Sequence, residues 1–174
     1  MNAQVFTPGQ AELELTLLNV DAESMSSSDL YLWLRESGLP SEVAIRLESL
    51  VDTVTEIGNR VISIGKIILI KIIEFVNAHP NLAIGIAVGA AIGTLVSMIP
   101  FLGVYLAPIA MAVSTTIGAI AGHRIDKLEK GQAVNTQAEL VAIGQDAIEI
   151  AKEFFKLLIA IFNAVFDERV LQGV

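Results

Sequence analysis

The side chains that could support catalysis or bind a metal ion are few and far apart. The 174-residue chain has no cysteine, which excludes disulfides, thiol catalysis and cysteine-ligated zinc. Its two histidines, His79 and His123, bracket a long uncharged segment, and in a helical hairpin they would meet at one end as a pH-sensitive or metal-binding pair. The simpler interpretation, which we favour, makes them polar residues at the boundary of an apolar segment. No serine, histidine and acid fall in a catalytic pattern, so we expect no enzyme, no metal site and no cofactor.

A second group of charged side chains could favour the passage of cations. A long helix is predicted over about residues 137–171, and its acids recur at intervals that place them in one narrow stripe on an otherwise apolar surface. If several copies assembled, this stripe could line a water-filled channel. The alternative, which carries more weight, is the solvated outer face of a bundle at the membrane. The stripe consists of Glu139, Asp146, Glu149, Glu153 and Asp167.

Glycines spaced four residues apart could let two helices approach closely. Gly85, Gly89 and Gly93 form GxxxGxxxG, and Gly118 and Gly122 form GxxxG. This spacing stacks the glycines on one face of a helix. Each interior glycine weakens a helix in water by about 1 kcal/mol, whereas in lipid the helix persists because unsatisfied backbone is costlier. We therefore predict that these glycines are helix-packing positions, within the hairpin or between copies of the chain.

The element that carries these glycines is an uncharged stretch of unusual length. No Asp, Glu, Lys or Arg occurs between Glu74 and Arg124, whereas one membrane span needs about 20 apolar residues. We predict a helical hairpin over residues 79–123, with arms at 81–99 and 109–122 and a turn at 98–108. Pro100, Gly103 and Pro108 would form the turn. The hairpin could cross the bilayer or dip into one leaflet, and the alternative is a hairpin buried inside a helical bundle.

Basic and imidazole side chains flank the predicted hairpin on both sides, while its turn has no charge. The positive-inside rule then places both flanks, and the two arms of the chain, in the cytoplasm, with the hairpin in a bacterial inner membrane. These flanking residues are Lys66, Lys71, His79, His123, Arg124, Lys127 and Lys130.

The remaining segments predict an all-α membrane-associated protein. Residues 1–40 form an acidic arm in which 11–20 fits a helix or a strand and 29–37 a short helix carrying Trp33, a core anchor or a partner contact. The polar pattern of residues 41–78 predicts one long amphipathic helix, or two helices in line. Residues 124–174 form a linker and the long last helix.

Composition and charge limit the classes of partner that the protein could bind. Apolar residues make up 53% of the chain and charged residues 17%, against about 25% charged in an ordinary soluble domain. Residues 1–59 hold ten acids and two bases, whereas residues 60–130 hold six bases and three acids. The acidic arms argue against nucleic acid, the basic middle suits an anionic bilayer, and residues 1–59 could bind a protein partner.

Two partial resemblances meet at the hairpin. Residues 79–93, with the sequence HPNLAIGIAVGAAIG, resemble the glycine-zipper membrane anchor of the bacterial ElaB/YqjD-type family. That resemblance implies a membrane anchor, although this chain adds a second arm and a long helix after it. The arrangement of amphipathic helices around an uncharged hairpin is also similar in plan to colicin-type pore-forming domains, without a diagnostic motif.

These features together predict a homo-oligomeric membrane protein of toxin or defence type that forms a pore or permeabilises the membrane. The hairpin would insert, the glycine faces would join the subunits, and the last helix would line or brace the opening. The alternative function is a non-conducting membrane anchor or scaffold that recruits a protein through its acidic arms.

Overall fold

The structure is a computed structural model that describes residues 6–57, 59–113 and 146–172, with side chains of the last helix described as far as residue 166. This part of the chain is mostly helical, with one short β-hairpin. The helices are α1 (Pro8–Ser24), α2 (Ser27–Glu36), α3 (Ser41–Glu48), α4 (Ile64–Ala78), α5 (Ile84–Met98), α6 (103–113), α7 (146–154) and α8 (Lys156–Gln172), with 3₁₀ turns at Ser49–Asp52 and Pro100–Leu102 and strands β1 (Thr55–Ile57) and β2 (Arg60–Ile62).

Local sequence signals explain the first two helices. α1 begins with a capping box, in which the Gln10 amide donates to Thr7 Oγ1 and the Thr7 amide donates to Gln10 Oε1 (3.2 and 3.1 Å). Residues 11–20, for which helix and strand were both open, therefore lie within a helix. After α2, Gly38 adopts φ +85°, a left-handed conformation that favours glycine and reverses the chain before α3.

The single long helix predicted over residues 41–78 is wrong. That segment contains α3, a 3₁₀ turn, an antiparallel β-hairpin and α4, with Thr55 paired to Ile62 and Ile57 to Arg60. Part of the physical reason is local, because Thr53, Val54 and Thr55 are β-branched in a row and favour extended backbone over helix.

α4 lies at the centre of the core and packs against α1, α5 and the first 3₁₀ turn. Residues 64–69 are all buried, so this helix has no solvated side over its first turns. Gly65 allows the closest approach: its amide donates to the Thr53 carbonyl at 3.0 Å, and a Cβ there would lie 1.9 Å from the Leu50 carbonyl oxygen. α1 packs on both α4 and α8.

Aromatic side chains join α4 to α7 and α8. The ring of Phe75, which is fully buried, lies 5.2 Å from that of Phe154 and 5.3 Å from that of Phe155 between ring centroids. His79, one turn after Phe75, packs against the same cluster at 4.5 Å. Aromatic pairs at these distances stabilise a core beyond their buried area.

Candidate functional site

The candidate site is the pair α5 and α6, the described part of the uncharged segment. The two helices meet at the Pro100–Leu102 turn with a bend of 116°. Within the described residues, no single helix has the length and hydropathy to cross a bilayer, whereas this bent pair meets both criteria when its two arms are taken together.

The bend follows from one proline. Ile99 adopts an extended conformation (φ −128°, ψ 90°), as expected of a residue that precedes proline. Its amide still donates to the Leu95 carbonyl at 2.9 Å, so α5 is closed before the chain turns. The Leu102 amide then donates to the Ile99 carbonyl at 3.0 Å, which holds the turn in a 3₁₀ geometry.

The predicted turn is therefore shorter than residues 98–108. Pro100 lies in the bend, but Gly103 already adopts helical angles (φ −55°, ψ −40°) and Pro108 is exposed inside α6. Helix continues through Pro108, which has no amide to donate to the Val104 carbonyl. Val104 is 83% exposed, so water can reach this residue.

The inner faces of the pair are buried against the bundle. α5 packs on α4, and both arms and the turn contribute large apolar side chains to the core. These buried residues include Val88, Ile92, Leu95, Ile99, Leu102, Leu106 and Ile109. In the described residues, the inner faces of α5 and α6 are thus packed within a helical bundle.

α8 holds the bend through two specific contacts. Asn163 Nδ2 donates to the Met98 carbonyl oxygen at 3.0 Å, at the end of α5. The ring of Phe166 stacks on that of Phe101 in the turn, with centroids 3.9 Å apart and planes 4° apart. We call these two contacts the clasp. Besides the shared apolar core, they are the polar and aromatic links described between α8 and the bend.

The outer face of α6 is apolar and exposed to solvent. Val104, Ala107, Pro108 and Met111 recur at the spacing of one helix face, and Val104 and Met111 are 83% and 71% exposed. Since the segment contains no charged residue, this surface has no charged rim of its own. A contiguous exposed apolar face of this kind marks an interaction site in proteins. The i, i+3, i+4, i+7 spacing after Pro100 was visible in the sequence but did not figure in the predicted site.

The predicted glycine face is open within a single chain. Gly85 and Gly89 are half-buried and Gly93 is exposed. A Cβ added at Gly85 or Gly93 would meet no atom within 4 Å, so neither lies against a neighbouring helix. Gly118 and Gly122 lie outside the described residues. Within the described residues, no helix therefore packs closely at Gly85 or Gly93.

The flanking cations do not form a shared basic surface in the described part of the chain. Lys66, which was predicted to flank the hairpin, is only 7% exposed because α4 is covered by its neighbours. Lys71 pairs with Glu74 at 3.0 Å, and His79 Nδ1 lies 2.9 Å from the Phe75 carbonyl oxygen. His123, Arg124, Lys127 and Lys130 lie outside the described residues.

The predicted acidic stripe faces solvent where it is described. Asp146, Glu149 and Glu153 are exposed on α7, and Glu149 pairs with Lys152 at 3.4 Å. Exposure in a single chain is compatible with both the solvated outer face and the lining of an assembled channel, so both stay predictions. Glu139 and the side chain of Asp167 lie outside the described part of the chain.

Trp33 and the described acidic and histidine side chains are the remaining candidates from the sequence. Trp33 is half-buried and packs on the core, so as a single chain the protein uses it as an anchor. Among the described residues, no three or more His, Asp or Glu side chains come close enough together to hold a metal ion.

No protein-family model, no curated protein and no solved structure matches this chain. The resemblances to a glycine-zipper anchor and to colicin-type domains stay expectations, and α5 and α6 are the elements whose geometry points to a function.

Proposed function

We propose that the protein binds lipid bilayers through α5 and α6 and permeabilises them as a homo-oligomer. The observation that carries this proposal is the exposed apolar face of α6, set within a segment that contains no Asp, Glu, Lys or Arg. Exposure of such a face to water is unfavourable, so its transfer into the acyl region of a membrane lowers the free energy.

First contact would be shallow and reversible. Full burial of a Val or Met side chain contributes about 1.5–3 kcal/mol. Val104 and Met111, the large exposed side chains of the face, therefore supply about as much binding as one short acyl chain. Deeper insertion requires the inner faces of α5 and α6 to leave the bundle, and the clasp is the small set of contacts that opposes this step at the bend.

Assembly of copies would follow insertion. At Gly85 and Gly93, the glycine face of α5 offers a helix of a second copy a close approach that none of the described helices uses. In a bilayer, small residues at such positions let backbones pack without a hydrophobic driving force.

The test is flotation and dye release with the full-length protein and vesicles of phosphatidylcholine and phosphatidylglycerol. Val104→Glu places a charge in the proposed contact face and should weaken vesicle binding at least tenfold, which corresponds to about 1.4 kcal/mol. Val61→Glu is the matched control, because Val61 is a valine of similar chemistry, 57% exposed on β2. Equal binding by the two variants would overturn the proposed contact face.

Release separates permeabilisation from attachment. Gly93→Leu should fold, since open space surrounds a Cβ there, and should still bind vesicles but lose dye release. Gly9→Leu makes the same change on α1, where an added Cβ would also meet no atom within 4 Å, and should leave release unchanged. Binding by the wild-type protein without any release would refute permeabilisation and favour the non-conducting anchor.

A further inference from the structure

α1 presents apolar side chains on two opposite sides. Its inner side, with Ala11, Leu15 and Ala22, is buried in the bundle. Its outer side carries Leu13, Leu17 and Val20, which are 59%, 51% and 60% exposed. These three residues follow i, i+4, i+7 spacing and so lie in one line along two turns. The bundle accounts for the inner side and leaves the outer side without a role.

Acidic side chains border this apolar line on both edges. At about 100° per residue, Glu14 and Asp21 lie along one edge and Glu12 and Glu23 along the other. Within the described residues none of these four carboxylates forms an ion pair, and Glu23 accepts a hydrogen bond from the Ser63 hydroxyl. We call the apolar line and its four acids the outer face of α1.

Among the described residues, a basic side chain and a cavity lie beside the outer face of α1. Arg60 reaches the Glu12 edge, where its Nη1 donates to Thr16 Oγ1 at 3.0 Å. A cavity of about 290 Å³ opens beside this edge, with Leu15, Ile57 and Ile62 among its lining residues. Its volume is at the low end for small-molecule sites, so it suits a single side chain of a partner better than a free ligand.

The charges select among the surfaces that could cover this face. An anionic bilayer would be repelled by four carboxylates around three apolar side chains. A second copy bringing the same face would place like charges opposite each other, which disfavours association. A partner with apolar anchors between lysine or arginine side chains meets both features at once.

We propose that the outer face of α1 is the docking site for a basic amphipathic helix of a partner protein. Apolar residues of that helix at i, i+3 or i+4, and i+7 would pack along Leu13, Leu17 and Val20, and its basic residues would pair with the acids on both edges. The site is separate from α5 and α6, so it does not depend on membrane binding.

The probe is a labelled peptide of about 18 residues, five helical turns, built of leucine and lysine in helical spacing. A second peptide replaces each lysine with glutamate. Fluorescence anisotropy measures the binding of each to the full-length protein. We expect saturable binding of the basic peptide that weakens with salt, and much weaker binding of the acidic one.

Paired variants locate the binding. Leu17→Ser should weaken the basic peptide at least about fivefold, the effect expected of a central anchor. Leu32→Ser, at a leucine of similar exposure on α2, should have no effect. Glu14→Gln with Asp21→Gln should reduce the salt dependence, whereas Glu149→Gln with Glu153→Gln, which removes two exposed acids of α7, should not.

Three results would overturn the proposal. The first is a dissociation constant of the basic peptide above about 1 mM, which is no specific association. The second is an equal loss in the α1 variants and their controls, which would mean diffuse attraction to an acidic protein. The third is loss of vesicle binding in Leu17→Ser, which would make the outer face a membrane contact instead.

Discussion

Gly65→Ala is the substitution for which the fold gives the most specific prediction, a steric clash with the backbone. The added Cβ would lie 1.9 Å from the Leu50 carbonyl oxygen and 2.8 Å from both the Leu50 carbonyl carbon and Thr53 Cβ. Two of these three atoms belong to the backbone, so no side-chain rotation relieves the clash. The first 3₁₀ turn and the start of α4 would have to separate by more than 1 Å, about the gap between 1.9 Å and an ordinary contact.

The expected cost combines two opposing effects. Overpacking of a well-filled core typically costs about 1–3 kcal/mol, and a clash with backbone belongs at the upper end of that range. Alanine recovers at most about 1 kcal/mol of helix propensity over glycine. The free energy of unfolding should therefore fall by about 2 kcal/mol, and for a chain of this size the melting temperature should fall by roughly 4–8 °C.

The measurement is urea and thermal unfolding followed by circular dichroism, with Gly93→Ala as the matched control. Gly93 lies inside α5 with open space where its Cβ would be, so that variant should gain up to about 1 kcal/mol. The two glycine-to-alanine changes thus have opposite predicted signs. If Gly65→Ala is as stable as Gly93→Ala, the close approach of Leu50 to α4 is wrong.

Three further predictions concern the core and the clasp. Thr94→Val should raise the urea midpoint at unchanged slope, because the buried Thr94 Oγ1 has no hydrogen-bond partner among the described residues. The gain in the free energy of unfolding should be about 1 kcal/mol. An unchanged or lower midpoint would contradict this. Asn163→Ala removes the donor to the Met98 carbonyl and should cost about 1 kcal/mol while speeding dye release from vesicles; equal or slower release would separate the clasp from insertion. Phe75→Ala empties the centre of the aromatic cluster and should cost about 3–5 kcal/mol in the same unfolding assay; a loss below 1 kcal/mol would refute its central place.

Those elements that depend on local signals could be predicted from the sequence. Pro100 ends α5 and bends the chain because the residue before a proline avoids helical angles, and Gly38 stops α2 because it supplies a positive φ. Both effects act within a few residues. The run without charged residues likewise predicts a pair of apolar helices, and this prediction does not depend on what packs around them.

The segment 41–78 and the burial of Lys66 depend on distant contacts. Polar residues at steps of three and four fit a helix, but β-branched residues and the contact of Leu50 with Gly65 replace part of it with a hairpin and a 3₁₀ turn. In the sequence pattern, Lys66 falls on the polar side of a helix. In the structure, α4 is covered by elements that precede it and by elements that follow it in the chain. Pattern alone does not reveal which faces those elements cover.

The two exposed faces were missed for different reasons. Residues 99–113 include no charged side chain, so no polar residue marks the solvent side of α6 and exposure there follows only from packing. On α1 the apolar residues lie on opposite sides, which blurs the one-sided pattern by which an amphipathic helix is recognised.

The position of the clasp in the chain has a consequence for synthesis. Translation completes α5 and α6 well before Asn163 and Phe166, the residues of α8 that secure their bend. At 5–20 residues per second, the stretch from residue 113 to residue 172 takes about 3–12 s. During that interval the nascent apolar pair emerges without its covering helix and meets chaperones or the membrane first. Slower codons within residues 114–155 prolong this exposure, so the yield of folded protein should fall as translation of that stretch is slowed.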